Sequence, residues 1–403
     1  MIDRWRTDHL HGWSAKWSAD RPGAYDVEPL TSNFLMRISP RLCLCANFVI
    51  VMGMVMMTGC AALGPQQDAS ARSGDPRFFA YLEGRESPFC GGAGRSTESK
   101  SVVSAQSAKI VALINEATRE HLVFGGQSID EDGRLLHCGF AEAEFETAAP
   151  DRTPTWARVD HFWASVPRHD ADSRIVRTGV GRSVSLTQAL RLDGKSEVAR
   201  TSVLRAAVVD NPWSAAFISA LEKRVGLTPS EFAFSAAHAD YVTQAAATSE
   251  AEARGNANVS AAYRACPLTD AAPHPGDLLC ATRGNRSSLD SYAALMEGLS
   301  ERNRFNAGFA MHCELVVAVN RDAGYLEAIG GNVVQSVTRR RLSLADEGTG
   351  LLNARYLRAA RDDRACNAVS RNPSGEEPAH LCPQPSLNDL SWVVLLQWRG
   401  SAQ

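Results

Sequence analysis

The sequence predicts an α+β fold in which helices pack on an antiparallel sheet. Two patterns carry that expectation. Apolar residues recur at helical spacing over 104–121 and 211–226, and 312–320 reads as an alternating strand before a turn and a second strand-like run. The composition agrees: 403 residues, 44% hydrophobic and 22% charged, suffice for a sizeable core and exclude a mainly disordered chain or a coiled coil. The net charge of -3 gives no electrostatic reason to expect nucleic acid.

Residues 1–35 are polar, mixed in charge and without period. They fit no export signal, which points to Met36 as the true start. Arg37 and Arg41 then precede an apolar run from Leu42 to Met57, the layout of a signal peptide. Met57-Thr58-Gly59-Cys60 closes that run and resembles a bacterial lipobox. The resemblance implies cleavage after residue 59, lipid on Cys60, and an exported body held at a membrane. The competing reading is an uncleaved anchor over 42–64, just long enough to span a bilayer. Residues 60–88 read as a lipidated tether and 89–403 as the exported domain. By resemblance to Gram-negative lipoprotein sorting, Ala61 in place of Asp implies the outer membrane, facing the periplasm.

Within the body, Ile110, Leu113, Ile114 and Ala117 form the stripe of the first helix, which Gly125-Gly126 stops. Trp156, Phe162 and Trp163 read as core aromatics. Asn211-Pro212-Trp213-Ser214 opens the best helix, with Asn211 as cap and Pro212 at the first helical position. Its stripe is Trp213, Ala216, Phe217, Ala220 and Leu221, and Gly226 ends it. Pro273-His274-Pro275-Gly276-Asp277 turns into a strand over 278–283. The strand at 312–320 sets Cys313, Leu315, Val317 and Val319 against His312, Glu314, Val316 and Ala318. A turn at 320–324 leads to a strand over 325–334, residues 362–388 read as a loop insertion, and 392–398 as a last strand. Arg339-Arg340-Arg341 reads as a solvated strand end.

With a symmetric turn, Val319 opposes Tyr325 and His312 opposes Asn332, so an Asn sits beside a His and can orient its ring. Ser214 falls in the first turn of its helix, where free N–H groups favour developing negative charge. A hydroxyl, an imidazole and an orienting amide follow the logic of nucleophile, base and orienter.

Four motifs now resemble a known family: Asn-Pro-Trp-Ser-Ala-Ala-Phe-Ile-Ser, Pro-His-Pro-Gly-Asp-Leu-Leu, His-Cys-Glu-Leu-Val-Val and Ile-Gly-Gly-Asn-Val. Over 205–345 they resemble the bacterial envelope family called domain of unknown function 2272. That family in turn looks like a branch of the CHAP and NlpC-type papain-like amidases and peptidases. Their pattern is Pro-Trp-Cys-Ala-Ala-Phe, Pro-Gly-Asp-Leu, His-x-Gly-Ile-Val and Ile-Glu-Gly-Asn. The resemblance implies a papain-like domain with Ser214, His312 and Asn332 as catalytic residues. Two departures matter: Ser214 stands where the family has Cys, and Gly330 where it has Glu. A helix start beside a His stabilises a thiolate but not an alkoxide, so Ser214 needs concerted proton removal and an oxyanion hole. Cys313 alternates away from His312 and reads as a core residue or disulfide partner. His238 can line the cleft, though a polar surface or satisfied core position suits it better.

Ten Cys is high for a reduced compartment, and export makes disulfides expected. Cys90, Cys138, Cys266, Cys280, Cys313, Cys366 and Cys382 remain after the signal and Cys60 are set aside. Cys366–Cys382 would staple the insertion and Cys90–Cys138 the N-terminal segment, while Cys280–Cys313 competes with Cys266–Cys280; one Cys stays odd. No metal-ligand spacing and no nucleotide-binding glycine motif suggests a cofactor. Two functions are consistent with these features: an envelope hydrolase cleaving amide bonds in peptidoglycan, or an inactive lipoprotein that binds peptidoglycan or a partner protein.

Overall fold

The computed structural model describes residues 87–90 and 100–399, apart from 193–195, 257, 285–288, 306–307, 346–347 and 358–385. The signal segment, Cys60, Cys366 and Cys382 lie outside the described residues, as do most of the tether and of the 362–388 insertion. The chain begins with α1 (Lys100–Val123), β1 (Ser128–Ile129), β2 (Leu135–His137), α2 (Thr155–Trp163) and α3 (Arg168–Asp172). A ribbon of β3 (Ile175–Arg177) and β4 (Ser183–Ser185) leads to α4 (Leu186–Leu192) and α5 (Glu197–Asp210). Then come α6 (Ser214–Arg224), α7 (His238–Ala253), β5 (Tyr263–Pro267), β6 (Leu278–Thr282) and α8 (Tyr292–Phe305). The last strands are β7 (Met311–Asn320), β8 (Tyr325–Val333), β9 (Ser336–Ser343) and β10 (Ser391–Trp398).

The fold is mixed helix and sheet. Eight strands pair in the order β2-β1-β9-β8-β7-β6-β10-β5. Every pairing is antiparallel except β1 with β9. Among the described residues no helix is long and apolar enough to cross a membrane.

The main core joins helices to one side of the sheet. Leu113 and Ala117 of α1, Phe162 and Trp163 of α2, and Phe217, Ala220 and Leu221 of α6 meet Leu315, Ile329 and Val394 there. Helix α6 is buried all round from Ser214 to Glu222, and only Lys223 and Arg224 at its end are exposed. Its contact with β8 is backbone-close, since a Cβ on Gly331 would lie 2.6 Å from Phe217 Cβ and 2.7 Å from Trp213 Cζ3. Only glycine permits that approach. A second cluster, with Leu279, Val316, Leu342 and Trp392, covers alternate residues of the same strands.

Four expectations need correction. Asn211 does not cap α6; its amide donates to Ala207 O and Ile175 O, closing α5 and binding β3. The β7–β8 turn pairs Asn320 with Tyr325, one residue off the symmetric register, because the turn spans four residues rather than five. An irregularity between Val316 and Ala318 cancels that offset, so Leu315 pairs with Ile329 as the sequence predicts. Arg340 is buried rather than solvated, and bonds Glu314 and Asn388. Cys90 pairs with Cys266 and not Cys138, because the 87–90 segment lies along β5; Cys138 is a free, exposed thiol. Cys280 pairs with Cys313, its directly opposed neighbour on β7, which excludes the Cys266–Cys280 alternative. Alkylation of the folded, unreduced protein is therefore expected to modify Cys138 and to spare Cys90, Cys266, Cys280 and Cys313. Peptide mapping reads this directly.

A buried acid makes the core pH-sensitive. Glu222 contributes a carboxylate where the helical stripe expects none, and Tyr263 lies 2.6 Å from its Oε1. Burial pushes this carboxyl from 4.5 up to about 8, opposed by the Tyr263 hydrogen bond. The unfolded chain loses the proton from about 4.5, the folded chain only near 8. The stability contributed by neutral Glu222 is thus full below the first value and lost as pH rises to the second. Glu222→Gln is expected to flatten that loss, read as the denaturant midpoint at about pH 5 and about pH 8.5.

Candidate functional site

The site gathers at the start of α6. The segment before it is fixed by Trp213, whose indole N–H donates to Glu142 Oε2 at 2.7 Å. Its ring packs on Phe124, Phe162 and Phe217 at centroid distances of 5.9, 5.6 and 6.3 Å. The helical ladder opens with Phe217 N–H donating to Trp213 O. The N–H groups of Ser214, Ala215 and Ala216 therefore precede the ladder and carry the positive end of the helix dipole.

Ser214 Oγ lies 2.6 Å from His238 Nε2. His238 is the first residue of α7, and its Nδ1 bonds the Tyr241 hydroxyl one turn along the same helix. Ser214 and His238 are 5% and 4% exposed, so the pair is shielded from bulk water. Burial holds the His238 imidazole well below its ordinary range, with the charges of His312 and Arg283 acting in the same direction. Burial likewise holds the Tyr241 phenol well above its usual range. Both groups are neutral at neutral pH. A neutral His238 protonated on Nδ1 donates to Tyr241 and accepts from Ser214; protonated on Nε2, it donates to Ser214 instead.

His312 does not bond Ser214. Its ring stands edge-on to that of His238, with centroids 5.3 Å apart. Its Nε2 lies 3.2 Å from Glu314 Oε1, two residues along β7 on the same side. Arg340 from β9 reaches both Glu314 oxygens, at 3.0 and 3.1 Å. Despite full burial, Arg340 and His312 hold the Glu314 carboxyl below its usual range. Ionised Glu314 accepts, so Nε2 of neutral His312 carries the proton. Its Nδ1 then offers a lone pair, buried without a hydrogen-bond partner among the described residues. Burial is the main cause of the lowered His312 pKa.

Asn332, next to last in β8, has a left-handed backbone, φ 55°, which Asn tolerates better than most residues. The Val334-Gln335 turn beyond it is also left-handed, φ 49° and 60°. Gln127 Nε2 donates to Val333 O, and Glu142 N–H donates to Gln335 O, holding that unfavourable turn in place. Cys313 turns away from His312 into the main core with Cys280.

The structure thus joins Ser214 to His238 and sets His312 beside them. Two members of the cluster are not evident from the sequence motifs. His238 and Tyr241 are spaced three apart, a helical same-face spacing, but nothing local marks 238 as a helix start. Glu314 shares a strand side with His312, and that alternation is readable. Among the described residues no group of three His, Cys, Asp or Glu side chains can hold a metal ion.

Fold and site together define a mixed helix-and-sheet domain with a buried hydroxyl–imidazole pair at a helix start. A family model described as "Uncharacterized protein conserved in bacteria (DUF2272)" matches residues 151–385, more than half of the chain. The chain belongs to that family. No curated protein and no solved structure matches it.

Proposed function

We propose that the chain is a papain-like hydrolase of the bacterial envelope, using Ser214 to cleave amide bonds in peptidoglycan. The observation that carries this reading is the 2.6 Å bond between Ser214 Oγ and His238 Nε2 at the start of α6. Ser214 attacks the amide carbonyl while its proton passes to His238 Nε2. The first-turn N–H groups of α6 receive the oxyanion. His238 then protonates the leaving amine, and water releases the acyl group by the same steps in reverse. His238 takes the part that the resemblance gives to His312. His312 stays beside it as a second neutral imidazole, oriented by Glu314.

The papain-like part of the reading draws support from two positions on β7 and β8, one of them the Gly330 departure. The family pattern has Gly two residues after the His and Glu in the last motif; this chain has Glu314 and Gly330. Leu315 pairs with Ile329, so Glu314 and Gly330 are the next opposed residues. A Cβ on Gly330 would lie 2.7 Å from Glu314 Cγ. Glu314 on β7 thus occupies the space that a side chain at position 330 on β8 would take. The envelope and lipid anchor rest on the lipobox-like Cys60 and the apolar run before it.

The second reading, a non-catalytic module that binds peptidoglycan or a partner, draws on the burial of Ser214. One experiment separates the two. The full chain is incubated with purified sacculi and, separately, with a fluorophosphonate probe. The expected result is soluble fragments with new amine ends, and a label on the Ser214 peptide. Because His238 is held neutral, the acid limb of the activity should fall below pH 6.5, the ordinary imidazole value. Sacculus binding with neither release nor label would overturn the hydrolase and favour the module.

A further inference from the structure

Three arginines, Arg340 paired to β7, Arg302 paired to α7 and Arg283 just past the end of β6, differ in what neutralises them. Arg340 is held by Glu314. Arg302 is held by Asp240. Arg283 is exposed and makes no ion pair among the described residues. Its backbone N–H donates to Ala310 O at 3.0 Å, extending the β6–β7 ladder one step beyond Thr282 and Met311. In that ladder Ala281 pairs with His312. Strand alternation then sets Arg283 on the side of β6 that His312 shares on β7, as its diagonal neighbour. The charge of Arg283 is felt by both imidazoles, disfavouring protonation of each. A guanidinium with no ion pair among the described residues, at the edge of a buried hydroxyl–imidazole pair, can anchor planar anions, above all carboxylates.

We propose that Arg283 binds a free carboxylate of the substrate, so that the amide cleaved is one flanked by an ionised carboxyl group. This rests on the hydrolase reading of the same site and adds the substrate feature that the site selects. A carboxylate at Arg283 would serve twice. It would fix the register of the peptide against Ser214, and it would offset the cation that opposes protonation of His238 as the reaction proceeds.

The test uses two probes that differ only in charge: a peptidoglycan stem tripeptide with free carboxylates, and the same peptide with those groups amidated. Calorimetry is done on the full chain carrying Ser214→Ala, which keeps the peptide intact. The free-carboxylate form is expected to bind about tenfold tighter or more. In the added presence of Arg283→Gln that preference should collapse toward unity, and Arg283→Lys should keep part of it. The preference should also shrink as salt is raised, since Arg283 is exposed. Equal affinity for both probes, a preference that survives Arg283→Gln, or no binding of either probe would overturn the anchor. The fluorophosphonate label at Ser214 needs no carboxylate. A labelled protein without carboxylate preference therefore removes the anchor and leaves the hydrolase, and a preference without label does the reverse.

Discussion

Ser214→Ala is expected to reduce sacculus hydrolysis to the blank, and His238→Gln to lower it by about 10²–10⁴-fold. The two effects have one origin. An alcohol is a poor nucleophile until its proton leaves, and the group 2.6 Å from Ser214 Oγ is His238 Nε2. Gln at 238 keeps a polar side chain of similar reach but has no titratable nitrogen. His312→Gln should cost less, since His312 meets His238 through a ring edge and bonds Glu314 instead of Ser214. The order of the two histidine variants decides which of them takes the proton. A larger loss at His312 would return the role to the residue that the motif resemblance selects. Ser214→Cys sharpens the comparison, because a helix start beside an imidazole lowers a thiol pKa. Retained or increased activity in that variant would mark a site geometrically suited to acyl transfer.

Removing the carboxylate of Glu314 should have the largest effect on stability. Glu314 and Arg340 are 0% and 2% exposed, and Arg340 also bonds Asn388 Oδ1 at 2.7 Å. Breaking a buried pair from one side leaves an uncompensated charge, at a cost of about 3–5 kcal/mol. For a domain of this size that corresponds to a fall in Tm of roughly 10 °C. Glu314→Gly serves the measurement best, because it completes a cycle with Gly330→Glu. Alone, Gly330→Glu forces a Cβ to within 2.7 Å of Glu314 Cγ and should also destabilise. The double exchange removes the clash and returns a carboxylate beside Arg340, so it should be more stable than the sum of the single losses allows. Additive losses would show that the two positions do not share one space.

How much of the structure is legible in the sequence depends on how local each signal is. The stripe Ile110, Leu113, Ile114 and Ala117 and the alternation of β7 depend only on neighbours along the chain, and both elements stand where the periodicity sets them. The aromatic group around Trp163 is core for the same reason. Asn211 misleads because an Asn between two helices can serve either one, and here the end of α5 takes the amide. The arginines at 339–341 read as solvated because charge alone says nothing of a Glu on the neighbouring strand. The bond from Ser214 to His238 crosses two helices whose relative placement is set by packing on the sheet, and no residue spacing encodes it. The pairing of Cys90 with Cys266 is equally hidden from local reading, since the two are 176 residues apart.

That same disulfide has a mechanical consequence. Cys90 lies where the chain enters the domain, and Cys266 lies on β5, at one edge of the sheet. A pull arriving from the N-terminal side passes through a covalent bond into that edge strand. It bypasses the loop between residues 90 and 266, which holds α1, α6, Ser214 and His238. The Ser214–His238 pair thus sits inside a mechanically isolated loop, where a load on the leading segment does not draw α6 away from α7.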